Sequence, residues 1–595
     1  MINFIKNVLS VLTGLIIFSL GLLVVIIIAV AVLSPSDTVE IEEQSVLRLE
    51  LNNATLVDRA RSDDFNIPLP IPFIGGDTGM RTIGINDLKK TLRSAAASDK
   101  IEGVYLQAGT LRGGQALFKE LREELERFKE SGKFLISYSP FYSETGYYLS
   151  SVADEVFLHP TGSMDFSGLS TQGVYLRGLF DKIGLEPEVL VVGEYKSAVE
   201  TFTETSRSEE DREQTLDFLT DLHEIMIAAV AGSRELSIER VTEINNNLLV
   251  RNPQDAADLG LVDGVHYEDE VRSRLLERME LEIDPADLEF VSYQKLNKSD
   301  EALSPEGDRN SRVAIIYASG EIGSDPGAGI YDKRMVSEIR KARENDDVKA
   351  MVLRVDSPGG GVLASDEIRR ELELAQQEMP LIASMGNVAA SGGYWISMPA
   401  DMVMAEANTI TGSIGIFGLL FNVEELLNDK LGIQTDVVKT GRFSDLGDPS
   451  RPQTPEERAI LQQSIEEGYE LFIEVVADGR DMDDAAVREV AEGRVYSGQR
   501  ALELNLVDIL GGLDDAVALA AEMAGIEDSY RTIAYPEQQS FFENFVENLG
   551  GGASLREQQL EAELGPLYPA YKQIRPLLRY EGGPVARMPY DIVID

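Results

Sequence analysis

The sequence predicts an α/β protein of two tandem domains, one a duplicate of the other, behind an N-terminal transmembrane helix. Three observations carry that expectation. A string of motifs recurs at a nearly constant offset, which is the mark of a duplicated unit. Within each copy, short apolar runs alternate with helical patterns, as in parallel sheets with crossover helices. Val8 through Leu33 holds no charged residue.

The N-terminal segment comes first. Its 26 residues at about 1.5 Å each reach roughly 39 Å, longer than a ~30 Å hydrocarbon core. That length favours an uncleaved anchor over a secretory signal, although Ala29-Val30-Ala31 resembles a cleavage site and keeps cleavage open. Lys6 precedes the segment, while Asp37, Glu40, Glu42 and Glu43 follow it. Residues 1–7 are therefore expected to be a cytoplasmic stub, 8–33 the span, and the rest extracytoplasmic.

The repeat then sets the domains, 45–296 and 313–549. Ile101-Glu102-Gly103-Val104-Tyr105-Leu106, followed by Arg112-Gly113-Gly114, matches Val348-Lys349-Ala350-Met351-Val352-Leu353, followed by Gly359-Gly360-Gly361. Leu106 and Leu353 are 247 positions apart. Phe134–Ser137 falls on Leu381–Ser384, Gly146-Tyr147 on Gly393-Tyr394, and Ala153-Asp154 on Ala400-Asp401. Lys182-Ile183-Gly184 matches Lys430-Leu431-Gly432, and Leu259–Asp263 matches Leu504–Asp508. Drift of a few residues in the offset means altered loop lengths inside one unit. Pro68, Pro70, Pro72, Gly75 and Gly76 mark a loop insertion within 62–80 of the first domain. Polar residues 297–312 are expected to link the domains, and 550–595 is a tail without counterpart in the first half.

In the second half, Ala350–Val355 and Leu381–Met385 read as strands, Ile368, Leu372 and Leu374 as one face of a helix, and Gly392–Ser397 as a helix start. Reactive groups in parallel sheets collect at the carboxyl ends of strands, where Asp356–Gly361 and Ser391 fall.

Composition excludes several chemistries. With no cysteine, thiol nucleophiles, disulfides and cysteine-based zinc sites are excluded. The three histidines, His159, His223 and His266, form no metal-binding pair, and neither a metal nor a cofactor is expected. A net charge of −48 disfavours nucleic acid as a partner and reads as a solvated surface. Asp77-Thr78-Gly79 matches an aspartic-protease triplet but has no second copy. Asp481 and Asp483-Asp484 lack the glycine and glutamate of a calcium loop and read as caps of the next helix.

Two positions differ between the copies in opposite senses. Ser391 aligns with Glu144, and Lys196 aligns with Ser444. The first half has a lysine without the serine, and the second has the serine without the lysine. Ser391 can be a nucleophile or an ordinary helix N-cap. Gly359 and Gly360 can aim backbone N–H groups at an oxyanion or make a tight turn. Lys196 can be a base, if burial removes its charge, or a surface lysine.

Ala390-Ser391-Gly392-Gly393-Tyr394, Asp356–Gly361, Thr411-Gly412-Ser413-Ile414-Gly415 and Tyr195-Lys196-Ser197-Ala198-Val199-Glu200 together resemble the motifs of the long, duplicated form of signal peptide peptidase A, also called protease IV. That resemblance implies Clp-protease/crotonase-like domains and a Ser–Lys dyad built across them. Ser391 would be the nucleophile, Lys196 the general base, and Ser413 the serine that orients the lysine, with Gly360 and Gly392 as oxyanion donors. It also implies a homotetramer that degrades signal peptides and other apolar peptides at the membrane. The other readings left open are a crotonase-like acyl-CoA enzyme and a catalytically inactive membrane scaffold.

Overall fold

A computed structural model describes Gly14, Phe18 and residues 40–60, 81–304, 306–537 and 585–588. The expected anchor at 8–33, the insertion at 62–80 with Asp77-Thr78-Gly79, and most of the tail lie outside the described residues. Among the described residues no helix is long and apolar enough to cross a membrane.

Both halves are α/β, and the duplication is visible in their topology. In the first, parallel strands lie in the order Phe290–Ser292, Ser45–Glu50, Ile101–Gln107, Phe134–Tyr142, Glu155–Met164, Gly264–Val265. In the second, Arg531–Tyr535, Arg312–Ser319, Val348–Ser357, Leu381–Ala390, Met402–Ala405 and Ile509–Leu510 follow the same order, again parallel. The central strands are apolar on both faces, as sheets covered on both sides require. Val352, Leu353, Ile382 and Ala383 are all fully buried. Helix Gln115–Lys129 follows one central strand and Val362–Gln376 the equivalent one. Even a detail recurs: the Tyr147 hydroxyl donates to Leu261 O (2.6 Å) and the Tyr394 hydroxyl to Leu506 O (2.8 Å).

The expected second-half elements are present and longer than the sequence pattern indicates. Strand Val348–Ser357 runs on past Val355, and Leu381–Ala390 runs on past Met385 to the residue before Ser391. One element departs from the turn reading. Gly359–Gly361 is itself a short strand, in a third sheet ordered Ile330–Tyr331, Ile322–Gly323, Gly359–Gly361, Val585–Arg587, Ile416–Asn422, Glu186–Val192. Periodicity cannot reveal it, because glycines carry no side chains to alternate.

This third sheet joins the halves. Glu186–Val192 of the first half pairs antiparallel with Ile416–Asn422 of the second along the full length of both, from Glu186 opposite Asn422 to Val192 opposite Ile416. Residues 301–303 of the expected linker pack on the first half, where Glu301 accepts from Ser98 Oγ (2.6 Å) and Leu303 N donates to Ser94 Oγ (3.0 Å). Asp483 occupies the N-cap position of helix Asp484–Val490, but its side chain makes no cap bond there, and Asp481 ends the preceding helix in the left-handed region.

Candidate active site

Ser391 sits where strand Leu381–Ala390 meets helix Gly392–Ser397. Its position is that of an N-cap, but its backbone and side chain do something else. Its φ is 55° and its hydroxyl makes no cap bond, a strained conformation that serine adopts at a cost of about 1–3 kcal/mol. Two backbone bonds hold it: Ser391 N donates to Gly412 O (2.8 Å) and Trp395 N donates to Ser391 O (2.8 Å). Trp395 is fully buried against Phe472, ring centroids 4.6 Å apart, so the helix behind the serine is fixed in the core. The hydroxyl faces Lys196, with Lys196 Nζ 2.9 Å from Ser391 Oγ.

Lys196 reaches this point because the strand Glu186–Val192 delivers the chain across to the other half. Its loop lies against Glu492 and Gly493. Tyr195 N donates to Glu492 O (2.8 Å), and a Cβ on Gly493 (φ 77°) would come within 2.7 Å of Lys196 Cβ. Lys196 Nζ lies 3.0 Å from Ser413 O and 3.0 Å from Ser413 Oγ. Ser413 also has a left-handed backbone, φ 51°, and its N–H donates to Arg494 O (2.7 Å).

Lys196 is buried, and desolvation holds its pKa well below that of an ordinary lysine. A neutral amine has two N–H groups and one lone pair. Three partners suit it: both oxygens of Ser413 for the N–H groups, and the Ser391 hydroxyl for the lone pair. The surface-lysine alternative is therefore removed, and so is the N-cap alternative for Ser391.

Gly360 and Gly392 converge beside the serine. A Cβ on Gly392 would lie 3.1 Å from Gly360 N, and one on Gly359 (φ 102°) would lie 2.7 Å from Gly392 N and 3.0 Å from Ser391 Cβ. Only glycines permit this approach. Gly392 opens a helix, so its N–H has no partner within that helix.

All five residues singled out in the sequence, Ser391, Lys196, Ser413, Gly360 and Gly392, thus meet at one place. The histidines are engaged elsewhere. His223 bonds Asn245 (2.9 Å), His159 accepts from Thr161 N (3.1 Å), and His266 lies 3.5 Å from Glu270. No cluster of metal-ligating side chains occurs among the described residues. In the first half, Glu144 fills the place of the serine. Asn245 Nδ2 (2.7 Å) and Gly168 N (2.9 Å) donate to its carboxylate, and burial raises its pKa.

Sequence reasoning missed Gln214. Its Nε2 donates to Tyr195 O (2.9 Å) while its Oε1 accepts from Val495 N (3.2 Å), so one side chain ties the lysine loop to the second half. Asp211 supports the same loop by accepting from Ser197 Oγ (2.7 Å). Both lie on the helix Glu209–Ser233, whose polar residues look like a solvated face in one dimension.

A buried serine thus faces a buried lysine whose pKa is lowered, with two backbone amides beside it. The model of peptidase family S49 matches this chain twice, over residues 127–282 and 373–527. The chain is 35% identical to "Serine protease SPPA, chloroplastic" of Arabidopsis thaliana, over 75% of this chain and 66% of that one. It is 33% identical to "Protease 4" of Salmonella typhi, over 82% of this chain and 80% of that one. "Protease 4" of Haemophilus influenzae is 32% identical over 76% of this chain and 74% of its own. Among solved structures, the ClpP1 N165D mutant from Listeria monocytogenes covers 34% of this chain at 13% identity and a TM-score of 0.24, too slight a likeness to carry any conclusion. The chain belongs to peptidase family S49, as a serine peptidase of the long, duplicated form.

Proposed function

We propose that this peptidase is a membrane-anchored endopeptidase that degrades cleaved signal peptides and other apolar peptides, with Ser391 as nucleophile and Lys196 as general base. The carrying observation is the 2.9 Å approach of Lys196 Nζ to Ser391 Oγ in full burial. Neutral Lys196 takes the hydroxyl proton as Ser391 Oγ adds to a peptide carbonyl. The oxyanion meets the N–H groups of Gly360 and Gly392, each such donor contributing about 3–4 kcal/mol in the transition state. The lysinium then protonates the departing amine, and a water repeats the cycle to free the acyl group. Ser413 positions the lysine and accepts its N–H groups throughout.

The substrate class rests on two supports. One of the relatives, from Enterococcus faecium, is named "Putative signal peptide peptidase SppA", and the uncharged stretch 8–33 would hold the site near a bilayer. On this reading 8–33 spans the inner membrane, domains 45–296 and 313–549 face the extracytoplasmic side, and four copies assemble. The acyl-CoA alternative has no support in this site, which offers a buried amine where that chemistry needs a carboxylate base.

Hydrolysis of a fluorogenic signal-peptide segment by purified protein tests the reading. Ser391→Ala and Lys196→Ala should each lower kcat/KM at least about 10³-fold. Activity within tenfold of wild type in either variant would remove the dyad.

A further inference from the structure

Lys196 occupies the centre of a three-residue turn. Its φ is −76° and its ψ is 67°, and Ser197 N donates to Tyr195 O across it (2.8 Å), the geometry of an inverse γ-turn. So tight a turn leaves little slack between neighbours. The direction in which the lysine side chain leaves the backbone therefore follows the placement of Tyr195, and whatever holds Tyr195 also aims the amine.

Arg494 of the second half lies against that tyrosine, with its guanidinium carbon 4.6 Å from the centroid of the Tyr195 ring, within cation–π range. The guanidinium is itself steered from the first half. Asp217 (2.5 Å) and Glu213 (3.2 Å) pair with it, and both project from the helix Glu209–Ser233 one turn apart. The same helix face reaches the strand that follows Arg494, where Gln214 accepts from Val495 N and Asp221 accepts from Ser497 Oγ (2.5 Å). Both carboxylates are more than half exposed, at 56% and 59%. Exposed ion pairs add little to stability, so what they supply here is orientation of the guanidinium over the ring.

The main chain of the same residue serves the other side of the amine. Arg494 O accepts from Ser413 N (2.7 Å), next to the ladder in which Gly412 lies opposite Val495. Arg494 thus touches the support of Ser413 through its carbonyl and the support of Lys196 through its guanidinium.

We propose that Arg494 is a positioning residue of the Ser–Lys pair: its guanidinium, steered by Glu213 and Asp217, stacks on Tyr195 and so aims Lys196 at Ser391 and Ser413. It acts on the amine through Tyr195. The proposal rests on the base role given to Lys196 above.

Hydrogen–deuterium exchange tests it without turnover. In Arg494→Met, which keeps the aliphatic stem and removes the planar cation, amides of residues 194–198 should exchange about tenfold or more faster, while those of strand Leu381–Ala390 keep their wild-type rates. Tyr195→Leu should loosen the same segment. Kinetics on a fluorogenic peptide give the second reading. Arg494→Met should lower kcat about 10–100-fold and leave KM within about twofold, because a small misplacement of the base costs rate rather than binding. The inflection of kcat/KM should move up by about half a pH unit or more, as water reaches a less firmly seated amine. Arg494→Lys, which keeps a cation near the ring, should recover part of the loss. The double variant Arg494→Met/Tyr195→Leu should be no slower than the worse single variant, since both break one link. Wild-type exchange at 194–198 in Arg494→Met, an unmoved pH inflection, or additive losses in the double variant would each overturn the proposal. Absence of hydrolysis by the wild-type enzyme would count against the peptidase mechanism, while the exchange rates still decide whether Arg494 holds the lysine turn.

Discussion

The base role proposed for Lys196 carries a conflict: the amine has to be buried to stay uncharged, and burying it opposes folding. Its folded pKa lies well below the usual lysine value, so kcat/KM should rise with pH through a single deprotonation far below ~10.4. A profile with no inflection beneath the ordinary lysine range would contradict this. Stability carries the same signature. Between the lowered folded pKa and the unfolded one, the unfolded chain holds a proton that the folded chain lacks. Stability therefore falls by about 1.4 kcal/mol per unit as pH drops through that window. Lys196→Met removes the slope, so its stability advantage over wild type in urea denaturation should widen as pH is lowered from 10. Ser413→Ala deletes one hydroxyl partner of the amine and should cost roughly 10–100-fold in kcat with little change in KM.

At the scale of elements, the site depends on backbone shapes that serine and glycine alone supply here. Ser391 and Ser413 both hold positive φ at strand ends, and Gly493 lets the lysine loop lie flat on the second half. Gly493→Ala should therefore push Lys196 away from Ser391 and lower kcat about 10²-fold, since a displacement near 1 Å suffices for that, while circular dichroism stays unchanged; wild-type kcat would show that the close approach is immaterial. Much of this scale was legible in the sequence. The opposite losses at Ser391/Glu144 and Lys196/Ser444 pointed to the pair, and the apolar runs pointed to the strands that carry it. The Gly359–Gly361 strand was not legible, because its neighbours on either side, Ile322–Gly323 and the tail, come from distant sequence. Gln214 was hidden for a similar reason: the two backbone atoms it ties together, Tyr195 O and Val495 N, lie 19 and 281 residues away.

Over the whole molecule, neither half is complete without the other. Besides the shared sheet, Arg354 of the second half is fully buried against Asp58 (2.9 Å) and Glu120 (2.6 Å) of the first, and Glu120 also pairs with Lys89. Glu120→Ala leaves buried Arg354 with Asp58 alone and Lys89 with Asp514, so it should cost up to about 3–5 kcal/mol and lower the unfolding midpoints of both halves together. Two separate transitions in wild type would show that the halves are independent. The duplication explains the arrangement. Each copy supplies the same sheet order, one copy keeps the amine, the other keeps the hydroxyl, and the third sheet brings the two together.

The most direct measurement is the rate at which a fluorophosphonate modifies the protein, with the labelled residue located by mass spectrometry across pH. Phosphonylation should fall on Ser391 and accelerate with the deprotonation seen in kcat/KM. It should be lost in Lys196→Ala although Ser391 is still present. Labelling of Ser391 in Lys196→Ala at the wild-type rate, or labelling of another residue, would contradict a nucleophile made reactive by the lysine of the opposite half.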